Sequence, residues 1–439
     1  MLKTLLSHDF RHTAINQLWR LFSGPLLLIL VPLYLTAEAQ GYWFTFISLA
    51  ALAVFADMGF SNILLQFSAH EFAHLQFTEQ KTLTGKQQHL ERHASLLRFA
   101  LKWSLSMALL VFPLVLLVGY VILSEKNAAV DWQLPWIIYG VASVLVFINS
   151  MLLSFIEGCD SVGDVQKIRF HISIITVGLT LALLVGDFAL YALAIGLLIG
   201  AIAGLSMIVY RYRTMLFQLY DLSRQTTHAW KAEIMPLMWR YAISWVSGYF
   251  IFSIFTPIAF HYYGAVEAGQ VGLSIAICAA MFGIANIWMT IIVPKMNMFV
   301  SQSDYDTLNP MFKRHLLLTV LTYLLGVLVL FLGVTVFKSY IPFVDRLVSV
   351  PSLALISLAW LVQVVINALA LYMRAHKEEP LVTVSFVSGV YIGMVTWLIA
   401  LYLPVEYFFA GFLSAYIWGL PWAVFVFAKY RNKEKNCVS

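Results

Sequence analysis

The chain alternates long apolar stretches with short polar punctuation from one end to the other. Each stretch is close to the roughly 20 residues that one helix needs to cross a bilayer core. Twelve such stretches are read, at 13–35, 42–67, 99–123, 135–157, 169–186, 188–210, 236–262, 268–293, 315–337, 351–373, 381–402 and 405–428. Only Gly186 and Asp187 separate the fifth from the sixth, and eleven spans would put the two termini on opposite sides. The pattern predicts an all-α polytopic membrane protein. Its connections are short, the largest polar loop running from Ala69 to about Arg98. Chemistry is therefore expected inside the membrane, which favours a transporter over an enzyme acting on a soluble substrate.

The first two spans form a hairpin closed by Thr36-Ala37-Glu38-Ala39-Gln40, and each carries a charge. Arg20 lies 15 residues before Leu35 and Asp57 lies 15 residues after Tyr42. At about 1.5 Å per residue both sit about 22 Å from the turn, so they should share one depth. Opposite charges on neighbouring membrane helices are costly unless they pair or line a wet cavity, which makes the two a functional candidate.

Composition agrees with the pattern, with 61% hydrophobic and 11% charged residues against roughly 25% charged in soluble domains. The distribution of Lys and Arg adds orientation. With the N-terminus inside, 24 of the 27 fall on cytoplasmic segments, leaving Lys126, Lys338 and Arg346 outside. That positive-inside bias selects twelve spans with both termini cytoplasmic. The net charge of +5 then reflects topology and gives no sign of nucleic-acid binding. The first apolar stretch has no Ala-x-Ala-like cleavage site and is read as a span, not a signal peptide. Cys159, Cys278 and Cys437 imply no disulfide framework and show no metal spacing.

An internal repeat is visible at an offset of 229 residues, with Glu38-Ala39 matching Glu267-Ala268, Ala50-Ala51 matching Ala279-Ala280 and Ala56-Asp57 matching Ala285-Asn286. Transporters are often built from such duplicated halves. The expected organisation is a six-helix lobe over 1–212, a cytoplasmic linker over 213–235, a second six-helix lobe over 236–428 and a cytoplasmic tail over 429–439. Pro25, Pro32 and Pro257 would loosen the helices that open the two lobes. The first lobe carries an acid where the second has the neutral Asn286.

Two further groups of residues carry candidate chemistry. His70-Glu71-Phe72-Ala73-His74 matches H-E-x-x-H, which on a helix presents His70 and His74 as zinc ligands with a glutamate base. It stands where the second span leaves the membrane, without an evident third ligand, so an interfacial polar cluster is the expectation and no metal site is assigned. Inside the spans, Arg20, Asp57, Asn62, Gln66, Glu157, Arg169, Arg240, Asn286, Gln363 and Asn367 are scattered over several helices, as a polar substrate pathway requires. Arginine can hold phosphate by bidentate hydrogen bonds, and a buried carboxylate can take up a proton or cation. Arg20, Arg169, Arg240, Asn286, Gln363 and Asn367 are the substrate-binding candidates, and Asp57 and Glu157 the coupling or ion-pair candidates. Aromatics near span ends, including Tyr42-Trp43, Trp132 and Trp136, suggest an interfacial belt. Trp245, Tyr249 and Trp288 lie deeper, where rings could stack on sugars.

Several stretches resemble the Wzx-type polysaccharide (O-antigen) flippases of the multidrug/oligosaccharidyl-lipid/polysaccharide exporter superfamily. They are Gly41-Tyr42-Trp43, Ala56-Asp57-Met58-Gly59-Phe60, Glu157-Gly158 and Tyr372-Met373-Arg374-Ala375-His376-Lys377-Glu378-Glu379-Pro380. The resemblance implies two six-helix lobes in a V around a cationic cavity. It implies a bacterial inner-membrane flippase that moves undecaprenyl-diphosphate-linked oligosaccharide toward the periplasmic leaflet for surface polysaccharide biosynthesis. Implied partners are that lipid-linked oligosaccharide, membrane lipids, and a polysaccharide polymerase with chain-length proteins. No cofactor is implied beyond a coupling H+ or Na+. Related sequences often place a basic residue a few positions after the Asp-x-Gly stretch, and here Gln66 stands near that place. The alternatives are a cation-coupled drug antiporter of the same superfamily, or a membrane enzyme, either a metalloprotease through the HExxH-like stretch or a glycan polymerase. The last would want a large external loop.

Overall fold

In lipid the backbone must satisfy its own hydrogen bonds, so a single apolar segment spans the bilayer as a helix. A computed structural model describes residues 8–125, 130–224, 228–337, 343–376 and 380–438. Its long helices follow the sequence pattern: α1 His8–Tyr34, α2 Ala37–Ala50, α3 Val54–Asp57, α4 Phe60–Phe72, α5 Gln87–Ser124, α6 Gln133–Glu157, α7 Val162–Val185 and α8 Leu190–Ser223. They continue as α9 Trp230–Phe252, α10 Phe255–Tyr262, α11 Ala265–Ala285, α12 Ile287–Ser301, α13 Tyr305–Phe337, α14 Val350–Arg374, α15 Val382–Tyr402 and α16 Ala410–Val438. Among the described residues, 11 helices are long and apolar enough to cross a membrane, and the broken pair α9–α10 makes a twelfth. The narrow boundary between the fifth and sixth spans is present, because left-handed φ angles at Asp187 (63°) and Ala189 (45°) prevent α7 from running into α8.

The second span departs from the single helix expected over 42–67. It stops at Asp57, where Met58 (φ 45°) and Gly59 (φ 76°) are both left-handed, and restarts at Phe60. Glycine is needed at 59 for space as well as for backbone conformation, since a Cβ there would come within 2.7 Å of Tyr241 Cβ. The eighth span, expected over 268–293, is likewise divided at Asn286. Asp57 and Asn286 are 229 residues apart, as are the helix ends Phe72 and Ser301. The repeat read from a few matched dipeptides thus recurs in where helices break and end.

The chain forms two compact units, Met1–Val246 and Ser247–Ser439. The division falls inside α9 and not within the 213–235 segment, whose first part is the end of α8. The reason is packing: Trp230, Ile234 and Met238 are buried in the first unit's core with Phe60, Leu64, Phe155 and Tyr212. The second unit has its own core around Met289, Met296, Leu308, Tyr372 and Ala423. Tyr42, Trp43, Trp132 and Trp136 are buried in protein instead of forming the expected interfacial belt. Tyr42 stacks on Trp132, and the Trp136 indole N–H donates to the Leu116 carbonyl.

The loop after α4 contains a β-hairpin that the sequence pattern did not suggest, β1 Leu75–Phe77 against β2 Leu83–Gly85. Its strands are only three residues long, and a side chain from α8 holds the free edge. The Gln218 amide donates to the Leu83 carbonyl and accepts from the Leu83 N–H, both at 2.8 Å.

Helices α7 and α8 approach through a ridge of small residues on α8. A Cβ at Gly196, Gly200 or Gly204 would fall 2.0, 1.8 or 2.5 Å from Thr180, Thr176 or Ile172 respectively. Without a hydrophobic force between helices in lipid, such close contact and its dispersion energy hold the pair together. Gly200→Ala should therefore lower the stability of the detergent-purified protein by about 1–3 kcal/mol through overpacking. Gly178→Ala, where a Cβ meets open space, should leave the thermal unfolding midpoint unchanged or raise it.

Candidate functional site

Arg20 and Asp57, expected to share a depth, are not bonded to each other. The Asp57 carboxylate accepts from the Ser61 backbone N–H at 2.9 Å and from its hydroxyl at 2.8 Å. The physical cause is the helix break. A new helix starting at Phe60 presents unsatisfied N–H groups and a positive dipole end, and the nearest carboxylate caps them. Equal depth for Arg20 and Asp57 holds only if the second span is one unbroken helix, and the break gives the acid a nearer partner. Arg20 is exposed and has no ion-pair or hydrogen-bond partner among the described residues.

Glu157 and Arg169 are brought together. Glu157 ends α6, Arg169 lies two turns into α7, and their side chains are 2.9 Å apart. The sequence reading missed two further members of this group. Asn16 on α1 donates to Gln166 at 2.8 Å, and Gln166 in turn donates to Glu157 at 3.4 Å. With the Trp19 indole donating to Ser173 and the Gly163 N–H to Asp9, a polar ladder joins α1 to α7. The signal available in the sequence was an Asn and a Gln, each facing the end of an apolar helix. Arg20 follows Asn16 by four residues and shares its face of α1.

The second unit repeats the theme without formal charge. Asn367 donates to Asn286 at 2.9 Å, bringing two candidates together at the interruption between α11 and α12. Gln363, one turn before Asn367 on α14, accepts from the Tyr416 hydroxyl at 2.9 Å. Arg240 lies on α9 with its side chain outside the described residues, as do Lys377, Glu378 and Glu379 of the stretch after the tenth span. Asn62 and Gln66 are exposed on α4. Tyr249 is buried, whereas Trp245 and Trp288 are exposed.

The HExxH-like stretch has a structural explanation. α4 ends at Phe72, so His74 lies beyond the helix that would have placed it above His70. Glu71 is only 2% exposed and is held by His89 Nδ1 at 2.7 Å and Arg92 Nε at 2.8 Å, while His74 stacks on the His89 ring. Among the described residues no group of three or more His, Cys, Asp or Glu side chains could hold a metal ion. Burial alone would raise the Glu71 carboxyl, but hydrogen bonds and charge from Arg92 and His89 outweigh it and hold the group below the usual carboxylate range.

No protein-family model matches the chain, and no curated protein does. Solved structures do match. An outward-facing multidrug resistance MATE family transporter of the MOP superfamily aligns with TM-score 0.55 at 12% identity, over 98% of this chain and 96% of that one. An inward-facing counterpart gives 0.54 at 11% identity, over 93% and 99%. A MOP superfamily transporter from Pyrococcus furiosus, described as having a binding pocket of reversed polarity that suggests a different function, gives 0.54 at 11%, over 96% and 95%. At these identities the likeness is one of fold, and it extends over nearly the whole chain.

A carboxyl group held below its ordinary range stabilises the folded state above the unfolded-state value and loses that contribution as pH falls through its folded value. Acidification from about pH 5 to about pH 3, below the carboxylate model value, should therefore lower the unfolding midpoint more in the natural protein than in Glu71→Gln. Parallel curves for the two proteins would remove Glu71 from the acid response.

Proposed function

We propose that this chain is a membrane transporter that flips an undecaprenyl-diphosphate-linked oligosaccharide, with Arg20 meeting the diphosphate. The observation that carries the reading is the contrast between Arg20 and the acids. Asp57 is capped by Ser61 and Glu157 is paired with Arg169, while Arg20 stands within the first span with no partner among the described residues. A cationic drug needs an available carboxylate. An anionic headgroup needs an available guanidinium, and diphosphate suits its two-pronged donor geometry. The shared exporter fold supplies the framework, and the half-buried Asn286, Gln363 and Asn367 suit hydroxyl-rich glycans.

Coupling falls to Asp57, through H+ or Na+. Its two bonds from Ser61 sit at a helix break, where taking up or releasing a cation would change how α4 is capped. In this reading the protein acts in the bacterial inner membrane with both termini cytoplasmic, alongside a polymerase and chain-length proteins, and performs no covalent chemistry. A second reading, a cation-coupled drug antiporter, is favoured by the multidrug transporters among the fold relatives. It requires drug resistance on overexpression, lost in Asp57→Asn.

Arg20→Ala should reduce surface polysaccharide about tenfold or more at equal expression, in line with the loss of a charge-assisted hydrogen bond. Normal polymer would remove Arg20 from the mechanism. If the coupling resides in one lobe, Asp57→Asn should impair transport more than Asn286→Ala in the same assay, and the reverse order would count against Asp57.

A further inference from the structure

The first unit contains a basic pocket that the proposed transport mechanism does not use. Its volume is about 480 Å³, within the range of ligand sites. Lys81 from the hairpin turn, Lys167 and His171 from α7, and Arg211 and Arg213 from α8 converge on it, with Asp164 as the one acid in its lining. That acid is already engaged. Arg211 donates to it through Nε at 2.9 Å and through Nη2, and the Tyr212 hydroxyl donates at 3.3 Å. With a single acid against Lys81, Lys167, Arg211 and Arg213, positive charge predominates around the cavity.

The turn that carries Lys81 is held in place. Lys81 has a left-handed backbone (φ 60°), its carbonyl accepts from the Thr214 hydroxyl at 3.2 Å, and its ammonium lies over the Tyr212 ring. Burial and the nearby Arg211 hold its ammonium below the usual lysine range, against the opposing pull of Asp164. Cations crowded this closely favour an anion between them. The surroundings indicate how it arrives. Tyr210 lines the pocket yet is 80% exposed, and Ile199 and Ile202, further along α8, are exposed as well. In a membrane that apolar surface faces acyl chains, and the pocket opens beside it.

We propose that this pocket binds the phosphate of an anionic phospholipid headgroup, with the acyl chains lying along α8. Basic pockets between membrane helices hold such headgroups by charge summed over several Lys and Arg side chains. The site is independent of the transported substrate.

Native mass spectrometry of the purified full-length protein would test it. Titrations would use dioleoyl-phosphatidylglycerol, the same chains as phosphatidylcholine, and inorganic phosphate. The natural protein should prefer phosphatidylglycerol. The triple variant Lys81→Gln, Lys167→Gln, Arg213→Gln should bind it roughly 100-fold more weakly, about fivefold for each charge, with phosphatidylcholine unchanged. Should the triple variant fail to fold, Arg213→Gln alone, at an exposed position, should still show the fivefold loss. Equal affinity for the two lipids, or unchanged phosphatidylglycerol binding in the variants, would overturn the proposal. Displacement of the lipid by millimolar inorganic phosphate would overturn the lipid assignment in favour of a free phosphate.

Discussion

A helix broken inside an apolar environment must find partners for the backbone groups it releases, and that constraint governs the first unit. At Met58 and Gly59 the second span turns through two left-handed residues, and the Ser61 N–H at the start of the new helix would lack an acceptor. Asp57 supplies one. Gly59 lets the Tyr241 side chain of α9 pack directly on the break. The acid, the glycine and the ring thus form one device: the carboxylate satisfies the backbone, and the close packing keeps the interruption from healing into a straight helix.

The second unit interrupts its helix without needing a side-chain acceptor for the backbone. Its interruption at Asn286 retains ordinary right-handed backbone geometry, with the Asn286 carbonyl accepting from the Met289 and Thr290 N–H groups, while the Asn367 side chain donates to the Asn286 side chain. Both interruptions occupy the same place in the repeat. The first carries a carboxylate there and the second a neutral amide.

Spans, loops and charge bias were legible in the sequence because hydrophobicity is a local property summed over about 20 residues. The two-residue boundary at Gly186-Asp187 could be read for the same reason. What could not be read depends on distant partners. The break after Asp57 rests on Tyr241, the Glu157 network draws on Asn16 from another helix, and Asn286 meets a residue 81 positions away. With an unbroken second span assumed, Ser61 could not be foreseen as the partner of Asp57. The burial of Tyr42, Trp43, Trp132 and Trp136 was hidden for the opposite reason: rings at span ends suit an interface and a protein core equally well, and composition alone does not distinguish them. The α8 glycines recur every four residues from Gly196, a spacing whose meaning lies in the contact with Thr176 and Thr180 on another helix.

The hairpin after α4 bears on the order of assembly. Its three-residue strands are below the length that stands alone in water, and the side chain that completes them, Gln218, is 135 residues downstream of Leu83. At about 5–20 residues per second, a ribosome reaches it roughly 7–27 s after the hairpin has been made. Four further membrane segments, α5 to α8, are synthesised in that interval. Closure of the hairpin on α8 is therefore a late event in biogenesis, and it marks the moment at which the first half of the chain is complete.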